Sequence, residues 1–180
     1  MADLVILYSG GSDSYLLLKL ALQFKRVPHC VLINMGQKNI KELEYARKQL
    51  LENGVCFDEI EIKGLNISSG LVGDMISGKY DGVNPMNVPG RNTLFISLAY
   101  SIAESMGISE IWFGANYQDR LNLFPDCYQE YVVAMNNVLS VAPSKPIKLY
   151  APLLGWTQEM VYKYLNNVFN VKPSEFYSGY

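Results

Sequence analysis

Histidine occurs once, at His29, and cysteine three times, at Cys30, Cys56 and Cys127, with no CxxC pair among them. That scarcity excludes a zinc knuckle and a disulfide framework. Charge is also sparse, at 18% of residues, and nearly balanced at 15 basic against 17 acidic side chains. A broad nucleic-acid-binding face is therefore not expected, although a local cluster can still serve a small anion. No apolar run approaches the length of a membrane span. The opening MADLVILY lacks the basic start of a signal peptide. We expect a cytoplasmic protein with neither a membrane nor a direct nucleic-acid partner. Repeats, low-complexity tracts and linkers are missing too, and 180 residues suit a single domain with one core.

The chain does contain short apolar runs alternating with amphipathic stretches. Leu4–Tyr8 (LVILY) is typical of a strand buried on both faces. Asp13–Phe24 reads as a helix with its cap among Ser12, Asp13 and Ser14. Cys30–Asn34 is a second strand. Lys38–Asn53 is a helix with Leu43, Ala46, Leu50 and Leu51 on one face and Gly54 as its stop. Phe57–Ile62 alternates as a third strand. From Gly64 to Gly90 six glycines and two prolines weaken the pattern, and we expect a short helix or two, then an irregular loop from Gly78. Asn92–Met106 is a helix, Ile111–Gly114 a fourth strand, Ala115–Pro125 a polar loop and Cys127–Leu139 a helix. Ile147–Tyr150 is a fifth strand, and Thr157–Phe169 a final helix capped by Thr157. The predicted fold is α/β: a single doubly wound, mostly parallel five-stranded sheet with helices on both faces and right-handed crossovers.

Between the first strand and the first helix stands Ser9-Gly10-Gly11-Ser12-Asp13-Ser14. Ligands of open α/β sheets bind beyond the carboxyl ends of the strands, where this loop lies. Glycines admit close backbone approach. Hydroxyls and N–H groups at a helix N-terminus attract anions. The pattern is neither GxGxxG nor a Walker A loop, because Asp13 stands where a lysine would be. A carboxylate repels phosphate unless a cation lies between, so Asp13 points to a Mg²⁺ bridge to pyrophosphate. A lone SGG would be no more than a capped turn. The full SGGxDS after a buried strand is similar to the PP-loop of the ATP pyrophosphatases, which transfer AMP to an oxygen and release pyrophosphate.

Farther on, Arg91 stands just before a helix, where a guanidinium can meet an anion. Asn92 is placed to cap that helix, and Asp119 and Asp126 share the loop after the fourth strand. SGGSDS (Ser9–Ser14), GQ (Gly36–Gln37), VPGRN (Val88–Asn92), Gly114 with Asp119, and PDC (Pro125–Cys127) together resemble the 7-cyano-7-deazaguanine synthase family. They keep its order and spacing along nearly the whole chain. The resemblance implies an adenine nucleotide alpha hydrolase-like fold and an ATP-dependent carbon–nitrogen ligase. The carboxylate of 7-carboxy-7-deazaguanine is adenylated, ammonia displaces AMP to give the amide, and a second adenylation permits dehydration to the nitrile. It implies ATP and Mg²⁺ as the cofactors. Ser9, Gly10, Gly11, Ser12 and Ser14 are expected on the phosphates, with Gln37 and Gly114 near the nucleotide. Asp13 is expected on Mg²⁺, and Arg91 on phosphate or carboxylate. Asp119 and Asp126 are expected on Mg²⁺ or on the guanine-like edge of the substrate, with Asn92 and Cys127 beside it. The blander alternatives are a surface ion pair for Arg91, a helix cap for Asp126 and a buried small residue for Cys127, which is favoured over a covalent nucleophile at that position. His29 reads as structural, and Tyr15, Tyr45, Tyr100 and Tyr131 as packing within helices.

The chain departs from that family in two respects. The family usually carries a four-cysteine zinc site near its C-terminus, and Gly179 stands where the first of those cysteines is expected. No zinc is therefore expected, and oligomer contacts, in a homodimer, are expected to supply stability instead. Gln158 stands where a lysine is usual, and Tyr128 replaces a basic residue after PDC. A compact form of this kind would suit a virus-encoded enzyme working in host cytoplasm. Alternatives are a variant that stops at 7-amido-7-deazaguanine for nucleic-acid modification, or a non-catalytic nucleotide-binding partner subunit. A tRNA thiolase would want paired cysteines or a basic surface.

Overall fold

The computed structural model describes residues 1–36, 40–64, 88–142 and 144–176. Strand β1 (Leu4–Tyr8) lies at the centre of a five-stranded sheet. On one side it pairs with β2 (Pro28–Asn34), which pairs with β3 (Phe57–Glu61). On the other it pairs with β4 (Glu110–Trp112), which pairs with β5 (Lys148–Tyr150). Every pairing is parallel, giving the order β3-β2-β1-β4-β5.

The apolar run of β1 follows from this central place. Leu4, Ile6 and Tyr8 point to one face, where they pack with α1 (Ser12–Gln23), α2 (Ile40–Glu52) and α6 (Gln158–Phe169). Val5 points to the other, where Ile111 and Leu149 meet α3 (Arg91–Ser105) and α5 (Gln129–Val141). Leu4, Val5 and Ile6 are each 0% exposed, so both layers draw on one strand. Each such side chain contributes roughly 1.5–3 kcal/mol of burial. The doubly wound α/β sheet is thus present, with all strands parallel. No described helix is long and apolar enough to cross a membrane.

Several expectations need correction. The cap of α1 is Gly11, not Ser12, Asp13 or Ser14, and it makes no side-chain hydrogen bond. The stretch Ala115–Pro125 is not simply a loop, because it contains α4 (Tyr117–Leu121). Residues Pro125–Cys127 form a 3-10 turn, which delays the start of α5 to Gln129. Helix α3 begins at Arg91 behind Gly90, so Asn92 lies inside it rather than capping it. Thr157 caps α6 as expected, accepting from the Met160 N–H at 3.3 Å. Leu51 is 70% exposed, whereas Gln49 is 2% exposed. At about 100° per residue, Leu51 points roughly 140° away from a stripe centred on Ala46. The expected irregularity between Gly64 and Gly90 falls mostly outside the described residues.

Candidate active site

The chain runs outward from β1 through β2 to β3 on one side, while β4 and β5 extend the sheet on the other. Such a reversal opens a crevice beyond the carboxyl ends of the two central strands. A cavity of about 720 Å³ lies there, bounded by the glycine loop, the start of α3, the segment after β4 and the start of α6. Its volume suits a molecule of nucleotide size.

The glycine loop closes on its own serines. Ser14 Oγ accepts from the N–H groups of Ser9 at 3.3 Å and Gly10 at 3.2 Å, and donates to the Gly11 carbonyl at 3.1 Å. Ser9 Oγ accepts from the Gly11 N–H at 3.3 Å. An entering anion would exchange these long bonds for its own oxygens. Gly10 has φ +87°, and a Cβ there would meet Glu42 O and Ala46 N at 2.8 Å. Gly10 is therefore pressed against α2 and is not on the cavity wall, whereas Ser9, Gly11, Ser12, Asp13 and Ser14 are. Gly114 lines the cavity and lets the segment after β4 approach α1, since a Cβ would meet Asp13 Cβ at 3.1 Å.

A network of amides holds Asp13. Asn116, 1% exposed, donates through Nδ2 to Asp13 Oδ1 at 3.1 Å and to Gln158 Oε1 at 2.9 Å. Gln158 in turn donates to Ser12 Oγ at 2.8 Å. The Asn116 Oδ1 caps α4, accepting from Gln118 N at 2.7 Å and Asp119 N at 3.1 Å. Asp119 returns the bond by accepting from Asn116 N at 2.9 Å, which completes a capping box. Asp119 therefore stands at the cavity with one carboxylate oxygen already engaged in local structure.

Arg91 is the one cation among the described residues lining the cavity. It forms no ion pair within 4.0 Å among the described residues. Its charge reaches Glu42 and Asp119 and opposes the rise that burial imposes on the pKa of each. Asp126 is not on the cavity wall; its carboxylate accepts from the Asn92 N–H at 3.4 Å and lies 3.9 Å from Cys127 Sγ. It thus supports the start of α3, the helix before it in the chain. Cys127 borders the cavity, but burial first, and the Asp119 and Asp126 charges next, push its thiol far up. It is a buried thiol at neutral pH, poorly suited to nucleophilic attack. Gln37 lies outside the described residues.

Sequence reasoning missed Asn116 and Glu42. Asn116 leaves a signal, an Asn followed three residues later by Asp119, but Asp in place of Glu or Gln disguises the capping box. Glu42 reads as an ordinary first-turn acid of α2, and only the fold turns it into the cavity.

Among the described residues the site is short of positive charge. Burial raises Asp13 to about 6, opposed by the Asn116 amide, and the Asp119 charge pushes it the same way. Burial raises Glu42 to about 7, opposed by Arg91. Burial also raises Asp119. Among the described residues no three His, Cys, Asp or Glu side chains gather as a metal site. Mg²⁺ that arrives on phosphates needs only one or two carboxylates. Asp13 and Asp119, close enough for the Asp119 charge to raise the Asp13 pKa, fit that lesser requirement.

These shifts predict a pH dependence. A raised carboxyl pKa means that the folded state binds more protons than the unfolded state, between about pH 4 and the folded values of about 6 and 7. Stability is greatest below that window and falls as pH rises through it. The full loss is roughly 3 kcal/mol for each group. Melting curves of the ligand-free protein should show Tm falling from pH 5 to pH 8. A flat or rising Tm would contradict the assigned burial cost.

Comparison with known proteins agrees with this architecture. A 7-cyano-7-deazaguanine synthase of Psychromonas ingrahamii is 33% identical over 162 residues, 84% of this chain and 72% of that protein. The 7-cyano-7-deazaguanine synthase 2 of Colwellia psychrerythraea is 36% identical over 163 residues, 86% of this chain and 74% of that protein. The NH3-dependent NAD synthetase of Campylobacter jejuni superposes with a TM-score of 0.58 at 18% identity, covering 98% of this chain and 69% of its own. The tRNA thiolase NcsA of Methanococcus maripaludis superposes with a TM-score of 0.63 at 16% identity, covering 99% of this chain and 60% of its own. These two likenesses establish the shared fold. The profile described as "Queuosine biosynthesis protein QueC" matches residues 3–180, and with relatives of this identity and coverage the chain belongs to the QueC family.

Proposed function

We propose that the chain is an ATP-dependent ligase that converts 7-carboxy-7-deazaguanine to 7-cyano-7-deazaguanine through the amide. Membership of the QueC family carries this reading. The crevice beyond β1 and β4, with the glycine loop and Arg91 on its walls, supports it. The substrate carboxylate attacks the α-phosphorus of ATP, forming an acyl–O–AMP bond and expelling pyrophosphate. Ammonia adds to the acyl carbon, loses a proton and expels AMP. The amide oxygen then attacks the α-phosphorus of a second ATP and expels pyrophosphate, and loss of AMP with both amide N–H protons leaves the nitrile. Adenylation is needed because oxide and hydroxide are poor leaving groups.

In this reading Ser9, Gly11 and Ser12 with the N-terminus of α1 bind phosphates. Arg91 neutralises charge that builds on phosphate or carboxylate during transfer. Asn92 faces the deazaguanine, and the Asp119 oxygen that does not accept from Asn116 N serves either its N–H groups, from which a carboxylate can accept, or the Mg²⁺. When Mg²⁺ is bound it screens phosphate charge, and Asp13 and Asp119 would hold it. Asp13 is itself aimed by Asn116. Asp126 and Cys127 act at one remove, through the start of α3.

A second reading rests on Gln158. It hydrogen-bonds Ser12 in the glycine loop, where a lysine is usual in the family, so one phosphate-side cation is missing. Loss of a cation would weaken an adenylation step and favour a product that stops at the amide.

The test is incubation of the protein with ATP, Mg²⁺, ammonium and 7-carboxy-7-deazaguanine, with products identified by mass. Nitrile with AMP and pyrophosphate supports the first reading. Amide alone supports the second. Absence of pyrophosphate with both the acid and the amide would sink both.

A further inference from the structure

Gln49 in α2 is 2% exposed, on the same helix face as Ala46 and Leu50. Its Nε2 donates to the carbonyl of Gly10 at 3.3 Å and to that of Glu175 at 2.7 Å. Its Oε1 accepts from the Tyr8 hydroxyl at 2.6 Å. Only the nitrogen end of an amide can face two carbonyls, so the partners fix its orientation. One side chain thus joins three places distant in sequence: the end of β1, the glycine loop and the 3-10 turn Pro173–Glu175.

An apolar residue of like volume could fill this space, but it would take this partner from the Tyr8 hydroxyl and from the Gly10 and Glu175 carbonyls, and a buried polar group left unpaired is costly. Packing alone does not require glutamine. These hydrogen bonds do, and the one to Gly10 reaches the loop. A peptide unit is rigid, so the Gly10 carbonyl and the Gly11 N–H turn together. The backbone of α2 presses on Gly10 from one side, with Glu42 O and Ala46 N at 2.8 Å from a Cβ position, and Gln49 grips its carbonyl one turn later. The direction of the Gly11 N–H at the cavity is therefore set from behind the loop.

We infer that Gln49 is a positioning residue of the phosphate loop, which couples docking of the Pro173–Glu175 turn to the orientation of the Gly10–Gly11 peptide and so to affinity for the ATP phosphates. This rests on the ATP reading of the loop. Gln49→Met keeps length without hydrogen bonds. Gln49→Glu keeps shape and the Tyr8 contact but cannot donate to two carbonyls, and it decides the matter if the methionine variant fails to fold. Leu139→Ala, in the core of the opposite sheet face, is the control for general destabilisation. Binding of the imido analogue of ATP with Mg²⁺ is measured by calorimetry well below each Tm. Both Gln49 variants should bind about tenfold more weakly, while Leu139→Ala loses Tm and keeps wild-type affinity. In turnover, KM for ATP should rise while kcat and KM for the acid substrate hold. Wild-type affinity in both Gln49 variants overturns the inference, as does an equal loss of affinity in Leu139→Ala. Wild-type protein that binds the analogue but forms neither amide nor nitrile defeats the proposed reaction and leaves this inference standing. Wild-type protein that does not bind the analogue overturns both.

Discussion

Asp13→Asn should reduce pyrophosphate release by about a hundredfold to a thousandfold, while raising the Tm of the ligand-free protein at pH 8. The two effects have one cause. Asp13 is a carboxylate held in a partly buried place, where desolvation lifts it to about 6 and the nearby Asp119 adds to the cost. Above that pH Asp13 carries a charge that burial penalises and that no described cation pairs with. Asparagine retains an oxygen for Asn116 Nδ2 but carries no charge. We expect a gain of about 1–3 kcal/mol at pH 8, or several degrees at roughly 2–4 °C per kcal/mol for a chain of this size. At pH 5 the wild-type carboxyl is mostly protonated, and the gain should disappear. Turnover falls because asparagine is a far weaker partner for a phosphate-bound cation. Stability and function then move in opposite directions, as expected where a site stores cost for its ligand. Wild-type turnover in Asp13→Asn would remove Asp13 from the phosphate site. An unchanged Tm at pH 8 would show that its burial is not penalised.

Gly10→Ala should be the most destabilising small substitution in the loop. Its φ of +87° is one that side-chain-bearing residues rarely adopt, and the added Cβ would lie 2.8 Å from two backbone atoms of α2. Neither atom is the end of a flexible side chain, so a helix or the loop has to move. Left-handed strain of about 1–3 kcal/mol adds to overpacking of about 1–3 kcal/mol. A Tm lower by roughly 10 °C follows, with phosphate affinity lost as the loop shifts. Gly114→Ala makes a useful contrast. There the nearest contacts are Asp13 Cβ at 3.1 Å and Ser14 N at 3.2 Å, with no left-handed backbone. Its stability loss should be the smaller of the two by urea denaturation. Equal midpoints for Gly10→Ala and wild type would mean that the loop is not pressed against α2.

The sheet and the place of the loop are legible in the residues alone. The alternation of strand runs with helices requires parallel pairing, and apolar runs such as LVILY require burial on both faces. Boundaries held where a strong local signal existed, as at Thr157, and slipped where a short capped helix hid in a polar stretch, as at Tyr117–Leu121. Motifs also put SGGSDS, Arg91 and Gly114 in one crevice, because all follow strands or open helices at one edge of the sheet. Which side chains turn inward depends on how the elements pack. Asn116, Glu42 and Gln49 carry no motif, and each takes its role from partners 39 or more residues away, or from the rotation of its helix. Gly10 was read as a phosphate residue, and the fold shows its Cβ side occupied by α2. The charges of Asp13 and Glu42 are equally invisible in a chain whose net charge is -2, because their pKa values depend on desolvation, and desolvation depends on what the rest of the chain packs around them.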